Sequence, residues 1–381
     1  MKARKKLCIF PSDPLDAYVA KGEIKPRYFN PNNFFDEVHF MNPTSESIDK
    51  NLIQELVGKA DLHIHNIGKN NLITAHFKKN NILKQIKVMN PDVIRSYNPL
   101  IQGLIASFCS KKLKIPYFIS IHGDYKNEIE NEYKNSGKII KFLKLWITRN
   151  ITEKDSIGLA NVITCIHKGL IPYIKDCGGT NIVVLYNRVN LEQFQNNKPV
   201  LIKDKPIILN VGNLRKIKNQ ECLIRAISDL DVYLVIVGKG EMKNKLKALT
   251  HELKLDNNVI FIDSVKHSEI QNYYASAKIF AMPLKGSGIT IPTLEALATG
   301  CITVVSKPNG ELNEPYDSVI NYVENTPEGF RRIFQDVLNN EQQYLEQKEN
   351  AFEILEEMSG DVMEEKELKI YESLTLKSDN C

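Results

Sequence analysis

The sequence predicts an α/β protein with two βαβ domains, and three observations favour this class. Short apolar runs alternate with helical segments along most of the 381 residues. Many of these runs end in turn residues that lead into a helix, which is typical of right-handed βαβ units and a parallel sheet. The alternation stops at a polar stretch from Asn187 to Pro206 and then begins again. This length accommodates two domains, at roughly 150 residues each.

The elements follow in order. In the first half, apolar runs predict strands at residues 7–10, 38–41, 61–65, 92–96, 117–121, 162–166 and 182–185. Helices are predicted between them, including one from about Ser45 to Gly58. In the second half, strands are predicted at residues 207–211, 232–237, 259–262, 279–282 and 302–305. We therefore divide the chain into an N-terminal domain (1–190), a linker (191–206), a second domain (207–345) and a C-terminal helix (346–381) that returns to the N-terminal domain and frays at its end.

Composition narrows the classes of function. The net charge of +4 is spread in mixed Lys and Glu runs, so we expect no nucleic-acid partner. Seven cysteines lie far apart with no C-x-x-C pair, which argues against a disulfide framework. We expect a cytoplasmic protein, because the apolar run before Pro11 is too short for a signal peptide or a membrane span.

One helix has an unusual pattern. Residues 138–150 read KIIKFLKLWITRN, with Lys138, Lys141 and Lys144 on one face and apolar residues, including the single tryptophan, Trp146, around the rest. Two interpretations stay open. The helix contacts anionic lipid headgroups at the inner face of a membrane, or it is buried on a wide apolar arc with its lysines in solvent, which is the commoner use of such a pattern.

Phosphate-binding features concentrate in the second half. Gly286, Ser287 and Gly288 lie between an apolar run and a helix that carries Glu295. A glycine loop before a helix N-terminus offers backbone N–H groups and a positive dipole end to a phosphate. Two further strands are followed by Gly212-Asn213 with the cations Arg215 to Lys218, and by Gly238 in a tight turn.

Six segments in order resemble GT-B glycosyltransferases of glycosyltransferase family 4. They are ISIHGDY, VVLYNRVNLEQF, VGNLRKIKNQECLIRAI, LVIVGKGEM, VIFIDSV and IFAMPLKGSGITIPTLEALATGCITVVS. The resemblance implies two Rossmann-like βαβ domains that face each other across a cleft. It also implies a hexosyl-type transfer from a UDP- or GDP-linked sugar to a glycan or lipid-linked acceptor in polysaccharide biosynthesis, with retention and without a metal or other cofactor.

The resemblance also implies roles for residues. Lys218, helped by Arg215, neutralises the leaving diphosphate, Glu295 holds the ribose, and His122 faces the donor sugar. The other predicted donor-binding residues contact the phosphates or the base, and they are Gly212, Asn213, Gly238, Val265, Ser287, Gly288, Ile289 and Thr290.

The chain departs from the family pattern at three places. Asn213 stands where the family often has Arg, Ser287 replaces the first glutamate of the E-x7-E motif, and Ser12 and Asp13 replace a glycine pair. The first motif glutamate contacts the donor sugar in the family, so a second hypothesis is a nucleotide-sugar-binding or scaffold protein that has lost catalysis. A third hypothesis is a phosphorylase or a sugar-nucleotide epimerase.

A metal site is not expected from the sequence. His63 and His65 alternate on a predicted strand and therefore share a face. No third ligand is spaced near them, so we predict no metal.

Overall fold

The structure is a computed structural model that describes residues 4–22, 24–195, 197–286, 289–308 and 313–376. The chain forms two compact units. The first runs from the N-terminal residues to Tyr186 and again from Met363 onward, and the second runs from Asn187 to Val362. Each unit contains a parallel sheet, of seven and six strands respectively.

The first unit has a seven-stranded sheet in the order β3-β2-β1-β4-β5-β6-β7. Its strands are β1 (Lys6–Phe10), β2 (Glu37–Asn42), β3 (Asp61–Asn66), β4 (Val93–Ser96), β5 (Tyr117–Ile121), β6 (Val162–Cys165) and β7 (Ile182–Val184). Its helices are α1 (Leu15–Lys21), α2 (Leu72–Met89), α3 (Ile101–Leu113), α4 (Asn131–Asn135), α5 (Ile139–Gly158) and α6 (Ile171–Asp176). The residues of β4, β5 and β6 are all buried, as expected when helices cover both faces of a parallel sheet.

The second unit has a six-stranded sheet in the order β10-β9-β8-β11-β12-β13. Its strands are β8 (Ile207–Val211), β9 (Tyr233–Val237), β10 (Val259–Ile262), β11 (Ile279–Met282), β12 (Ile302–Ser306) and β13 (Asn321–Val323). Its helices are α7 (Leu191–Gln195), α8 (Gln220–Ala226), α9 (Lys243–Glu252), α10 (Ile270–Ala275), α11 (Ile291–Ala298), α12 (Pro327–Asn339) and α13 (Leu345–Glu356). Helix α7 lies inside the segment predicted as a linker, and the side chain of Phe194 on it is buried.

The C-terminal region consists of two helices rather than the single helix predicted over 346–381. Helix α13 is followed by α14 (Gly360–Leu376). The break has a structural cause, because Ser359 forms a β-bridge with Val189 and the Gly360 N–H donates to the Val189 carbonyl at 3.1 Å. Helix α14 is then held in the first unit by an ion pair between the buried Arg95 and Glu367 side chains.

The helix predicted from about Ser45 to Gly58 is absent. Two short 3₁₀ turns, Lys50–Leu52 and Gln54–Val57, take its place. The Asp49 side chain accepts the Asn51 N–H and begins the first turn, and the backbone leaves helical geometry at Ile53. Local side-chain hydrogen bonds of this kind compete with a continuous helix.

Among the helices formed by the described residues, none combines the length and the apolar character that crossing a membrane requires.

Candidate functional site

The strand order of the second sheet reverses between its central strands β8 and β11. In open parallel sheets, ligands bind outside the carboxyl ends of the strands at such a switch point. The predicted phosphate-binding residues follow these two strands. Gly212 to Lys218 come directly after β8, and Ile289 and Thr290 lie between β11 and α11. The fold of this unit therefore gathers residues from two separate sequence motifs at one sheet edge.

The loop after β8 is fixed by backbone contacts with the loop after β9. The Gly212 N–H donates to the Val237 carbonyl at 3.0 Å, and the Leu214 N–H donates to the Lys239 carbonyl at 2.8 Å. Gly238 has φ +154°, and a Cβ atom there would lie 1.9 Å from the Gly212 carbonyl oxygen. Only glycine permits this approach, so Gly238 positions the neighbouring loop.

The loops after β8 and β11 are bonded to each other. The Lys285 N–H donates to the Ile217 carbonyl at 2.9 Å. Asn325, just after β13, accepts from the Asn219 side chain at 2.8 Å and donates to the Leu284 carbonyl at 3.1 Å. Asn325 was not singled out from the sequence, because no strand was predicted at residues 321–323.

Positive charge accumulates at this edge. Arg215 and Lys218 are half-buried, and Lys218 ends the 3₁₀ turn Lys216–Lys218. Helix α11 begins after Thr290, with Pro292 in its first turn, and its N-terminal end carries a positive partial charge. Two cations and a helix N-terminus suit the binding of a diphosphate. The predicted binding residues Ser287 and Gly288 lie outside the described residues.

Glu295 on α11 is buried and has a partner for each carboxylate oxygen. His267 Nε2 lies 3.0 Å from Oε1, and the Tyr274 hydroxyl donates to Oε2 at 2.8 Å. Burial and the adjacent carboxylate raise the pKa of Tyr274 well above its ordinary value, so this hydroxyl keeps its proton. Neither His267 nor Tyr274 was singled out from the sequence. The role of Glu295 towards a ribose stays a prediction.

Val265 is half-buried and follows β10, the outermost strand on that side of the sheet. It lies two residues before His267, the residue that contacts Glu295. Its predicted place near the base stays a prediction.

His122 belongs to the first unit, where it directly follows β5. Its ring lies 5.9 Å from the Tyr97 ring, between centroids. His122 is an exposed residue, but the protein packed around it and the nearby Arg95 guanidinium lower its pKa to about 4. The imidazole is therefore neutral at pH 7 and suited to hydrogen bonds with hydroxyl groups. Its role towards the donor sugar stays a prediction.

Helix α5 differs from the buried-helix interpretation. Its first half exposes an apolar stripe of residues spaced three or four apart, with exposed fractions from 45% for Ile147 to 84% for Ile140. The stripe consists of Ile139, Ile140, Leu143, Trp146 and Ile147, and Ile151 continues it into the second half. Lys141 and Lys144 lie beside it and are also exposed. The buried-helix interpretation is therefore wrong for this half of the helix.

The second half of α5 anchors the helix in the first unit. The buried Arg149 donates to Glu130 at 2.7 Å and also to Glu153. Glu153 in turn accepts the Tyr173 hydroxyl at 2.6 Å. These buried polar contacts mark the side of the helix that meets the protein, and the exposed apolar stripe lies on another side.

Three comparisons place this geometry among known proteins. Residues 192–354 match the family model described as "Glycosyl transferases group 1". An uncharacterized glycosyltransferase of Methanocaldococcus jannaschii is 22% identical over 357 residues, which are 89% of this chain and 91% of that protein. A Campylobacter jejuni N-acetylgalactosamine-N,N'-diacetylbacillosaminyl-diphospho-undecaprenol 4-alpha-N-acetylgalactosaminyltransferase is 36% identical over 125 residues, 32% of this chain and 33% of that protein.

The solved structure of Anabaena HepE in complex with UDP is similar to the whole chain, with a TM-score of 0.71 and 12% identity. The similarity covers 97% of this chain and 100% of the HepE chain. The predicted fold class is confirmed: the chain has the GT-B fold, with two Rossmann-like parallel sheets. The family match includes the switch-point residues of the second sheet, and it supports sugar transfer as the general class of reaction.

Proposed function

We propose that the chain is a family 4 glycosyltransferase that moves a hexose from a UDP- or GDP-linked donor to an acceptor hydroxyl, with retention. The observation that carries this proposal is the switch point of the second sheet, where the loops after β8 and β11 are hydrogen-bonded to each other. The matched family model spans both loops, and the similar HepE structure was solved with UDP.

The chemistry requires stabilisation of a leaving nucleotide. Glycosyl transfer passes through an oxocarbenium-like state while negative charge grows on the leaving phosphate. Lys218, Arg215 and the N-terminus of α11 supply positive charge for that phosphate, each preorganised donor contributing about 3 kcal/mol to lowering the barrier. The phosphate oxygen freed in this way then takes the proton of the acceptor hydroxyl. Because these groups stabilise the charge, we expect the step to need no metal ion.

Glu295 is the proposed ribose ligand. Its oxygen Oε2 is held by the buried Tyr274, whereas Oε1 contacts His267, whose side chain is 45% exposed. We expect a ribose hydroxyl to replace His267 at Oε1, because this exposed imidazole can rotate away at little cost. Tyr274 would then keep the carboxylate oriented while the ligand binds.

The acceptor is proposed to be lipid-linked and to be reached at an anionic membrane surface. The apolar stripe of α5, with Trp146 in it and lysines beside it, has the character of a helix that lies in a membrane interface. The Campylobacter jejuni relative is named for a lipid-linked acceptor, an undecaprenol diphosphate.

The proposed reaction is tested by titrating the purified protein calorimetrically with UDP and GDP, followed by assays of UDP- and GDP-sugars for transfer and for donor hydrolysis. We expect binding of one nucleotide and turnover of a donor that carries it. Nucleotide binding without turnover of any donor would contradict the transferase and favour the binding or scaffold protein. Product formation that depends on orthophosphate would instead indicate a phosphorylase.

The membrane contact is tested by sedimentation with vesicles of anionic phospholipid. Replacing Lys138, Lys141 and Lys144 with Gln should weaken partition roughly a hundredfold, at about 1 kcal/mol per lysine. The double variant Lys245→Gln and Lys247→Gln, in the second unit, is the matched control. Equal sedimentation of the triple variant and the unchanged protein would refute the contact.

A further inference from the structure

A cluster of imidazoles lies at the edge of the first sheet, away from the residues used above. Strand β3 is the outermost strand, and its pairing with β2 sets His39 opposite His63. The rings of these two histidines are stacked, with centroids 4.4 Å apart. His65 Nε2 lies 3.1 Å from His39 Nδ1, and a Glu37 oxygen lies 3.3 Å from His39 Nε2. Three histidines and a carboxylate therefore meet on one face of two strands.

The positions of these residues follow from strand geometry. Side chains two residues apart share a face of a strand, so Glu37 and His39 project from β2 beside His63 and His65 from β3. Among the described residues, Glu37, His39 and His63 form the one group of metal-ligating side chains whose donor atoms all lie within 4.8 Å of one another. Glu37 and His39, the two ligands that were not found from the sequence, both lie on the neighbouring strand β2.

We propose that Glu37, His39 and His63 bind a divalent first-row transition ion, and that His65 orients His39. The donors are imidazole nitrogens and a carboxylate without a thiol, a set that suits Zn²⁺, Cu²⁺ or Ni²⁺ better than Ca²⁺ or Mg²⁺. We take Zn²⁺ as the ion to be tested. Nothing in the proposed sugar transfer uses these residues.

The spacing of one donor pair fits a small tetrahedral ion. Zinc bonds of about 2.0–2.1 Å place tetrahedral ligand atoms roughly 3.3–3.4 Å apart, and the Glu37 oxygen lies 3.3 Å from His39 Nε2. His63 is half-buried, and its ring must turn out of the stack to direct a nitrogen at the ion. The ion would have three protein ligands, which leaves one position for water.

The partner of His39 sets its tautomer. With a proton on Nδ1 donated to His65 Nε2, the lone pair of His39 Nε2 points towards Glu37, as a ligand requires. Without the ion, the hydrogen bond between the two histidines runs in the opposite direction. His65 Nε2–H then donates to His39 Nδ1, and His39 Nε2–H donates to the Glu37 carboxylate. Each ring holds one proton in both arrangements, so filling the site moves protons between ring nitrogens and releases none.

Two cations beside Glu37 would lower the affinity for a metal ion, but they do not block the site. Arg4 Nε and Lys6 Nζ each lie 3.4 Å from a Glu37 oxygen, and both side chains reach solvent and can withdraw. The ion would join β2 to the edge strand β3 and stabilise the first unit.

The test is calorimetric titration of chelator-treated full-length protein, free of any histidine tag, with Zn²⁺. We expect one ion per chain and a rise in the unfolding temperature of the unchanged protein. His63→Gln, at a half-buried position that tolerates the change, should abolish both effects. His65→Gln should weaken binding by roughly tenfold to a hundredfold, as loss of a hydrogen bond that orients a ligand does.

The matched control is His251→Gln, an exposed histidine of the second unit, which should bind Zn²⁺ like the unchanged protein. Circular dichroism of each variant reports whether it is folded. Absence of Zn²⁺ binding at micromolar concentrations, or equal binding by a folded His63→Gln variant, would overturn the proposal.

Discussion

At the scale of single residues, the proposed chemistry depends most on Lys218. It ends the short turn after β8 and follows Ile217, whose carbonyl accepts the Lys285 N–H. Replacing it with Ala removes a positive charge from the leaving phosphate, so we expect kcat to fall by roughly 10²- to 10³-fold, as for loss of one preorganised donor. The measurement is steady-state kinetics with the donor identified by the assay. Lys247→Ala, on the exposed face of α9, should leave kcat unchanged, and an equal rate for Lys218→Ala would contradict its role.

Tyr274 offers a second test at this scale. Its hydroxyl is the partner of Glu295 Oε2, and both side chains are buried. Tyr274→Phe leaves that oxygen without a partner, so we expect the free energy of unfolding to fall by about 1–3 kcal/mol. The KM for the donor should also rise, because the carboxylate is no longer held in place. Denaturant unfolding and donor kinetics check both effects, with Tyr273→Phe as the neighbouring control; unchanged values for Tyr274→Phe would refute this role.

Sequence reasoning found Glu295 but not its two partners, for a physical reason. Glu295 lies in a recognisable motif, whereas His267 and Tyr274 reach it from 28 and 21 residues away. The histidine cluster shows the same limit. His63 and His65 are visible as an alternating pair, but His39 joins them only through the pairing of β2 with β3, and no local spacing encodes that pairing.

At the scale of elements, the two halves of α5 differ in how far their apolar side chains are exposed. Ile140 is 84% exposed, whereas Ile157 on the same helix is fully buried. We expect Ile140→Ala to change the free energy of unfolding by less than about 0.5 kcal/mol. Ile157→Ala should cost about 2–5 kcal/mol, because it creates a cavity in the core. Urea unfolding of the two variants checks this, and a large cost at Ile140 would mean that the stripe is buried in solution.

The strands other than β13 were predicted from the sequence, whereas the connections were predicted less well. Continuous apolar runs such as Tyr117–Ile121 indicate buried parallel strands directly, and the structure has β5 there. The face of α5 that meets the protein could not be read from the pattern, because its apolar residues surround most of the helix and its anchor is polar, through Arg149 and Glu153. The break before α14 depends on a contact with Val189, which lies far away in the sequence.

At the scale of the whole molecule, buried neutral histidines make stability depend on pH. Burial lowers the pKa of His167 to about 4, although the negative charge of Asp124 acts to raise it. Below pH 6.5 the unfolded chain takes up a proton at this position that the folded protein refuses, so the free energy of unfolding falls as the pH drops towards 4. The loss from His167 alone should be about 2 kcal/mol between pH 7 and pH 5.

Chemical unfolding at several pH values measures this effect. The His167→Gln variant should show a shallower dependence than the unchanged protein between pH 4 and pH 6.5, because it lacks this proton uptake. Some dependence should remain, because other histidines still contribute. Identical slopes for the two proteins would show that His167 is not held neutral in the folded state.

The central claim is that the second sheet binds the diphosphate of a nucleotide-sugar at the strand ends of β8 and β11. A crystal structure of the protein with the bound nucleoside diphosphate tests it most directly. We predict phosphate oxygens within hydrogen-bonding distance of the Lys218 side chain and of the backbone N–H groups that begin α11. A nucleotide bound elsewhere on the chain, with these groups left in solvent, would contradict the account.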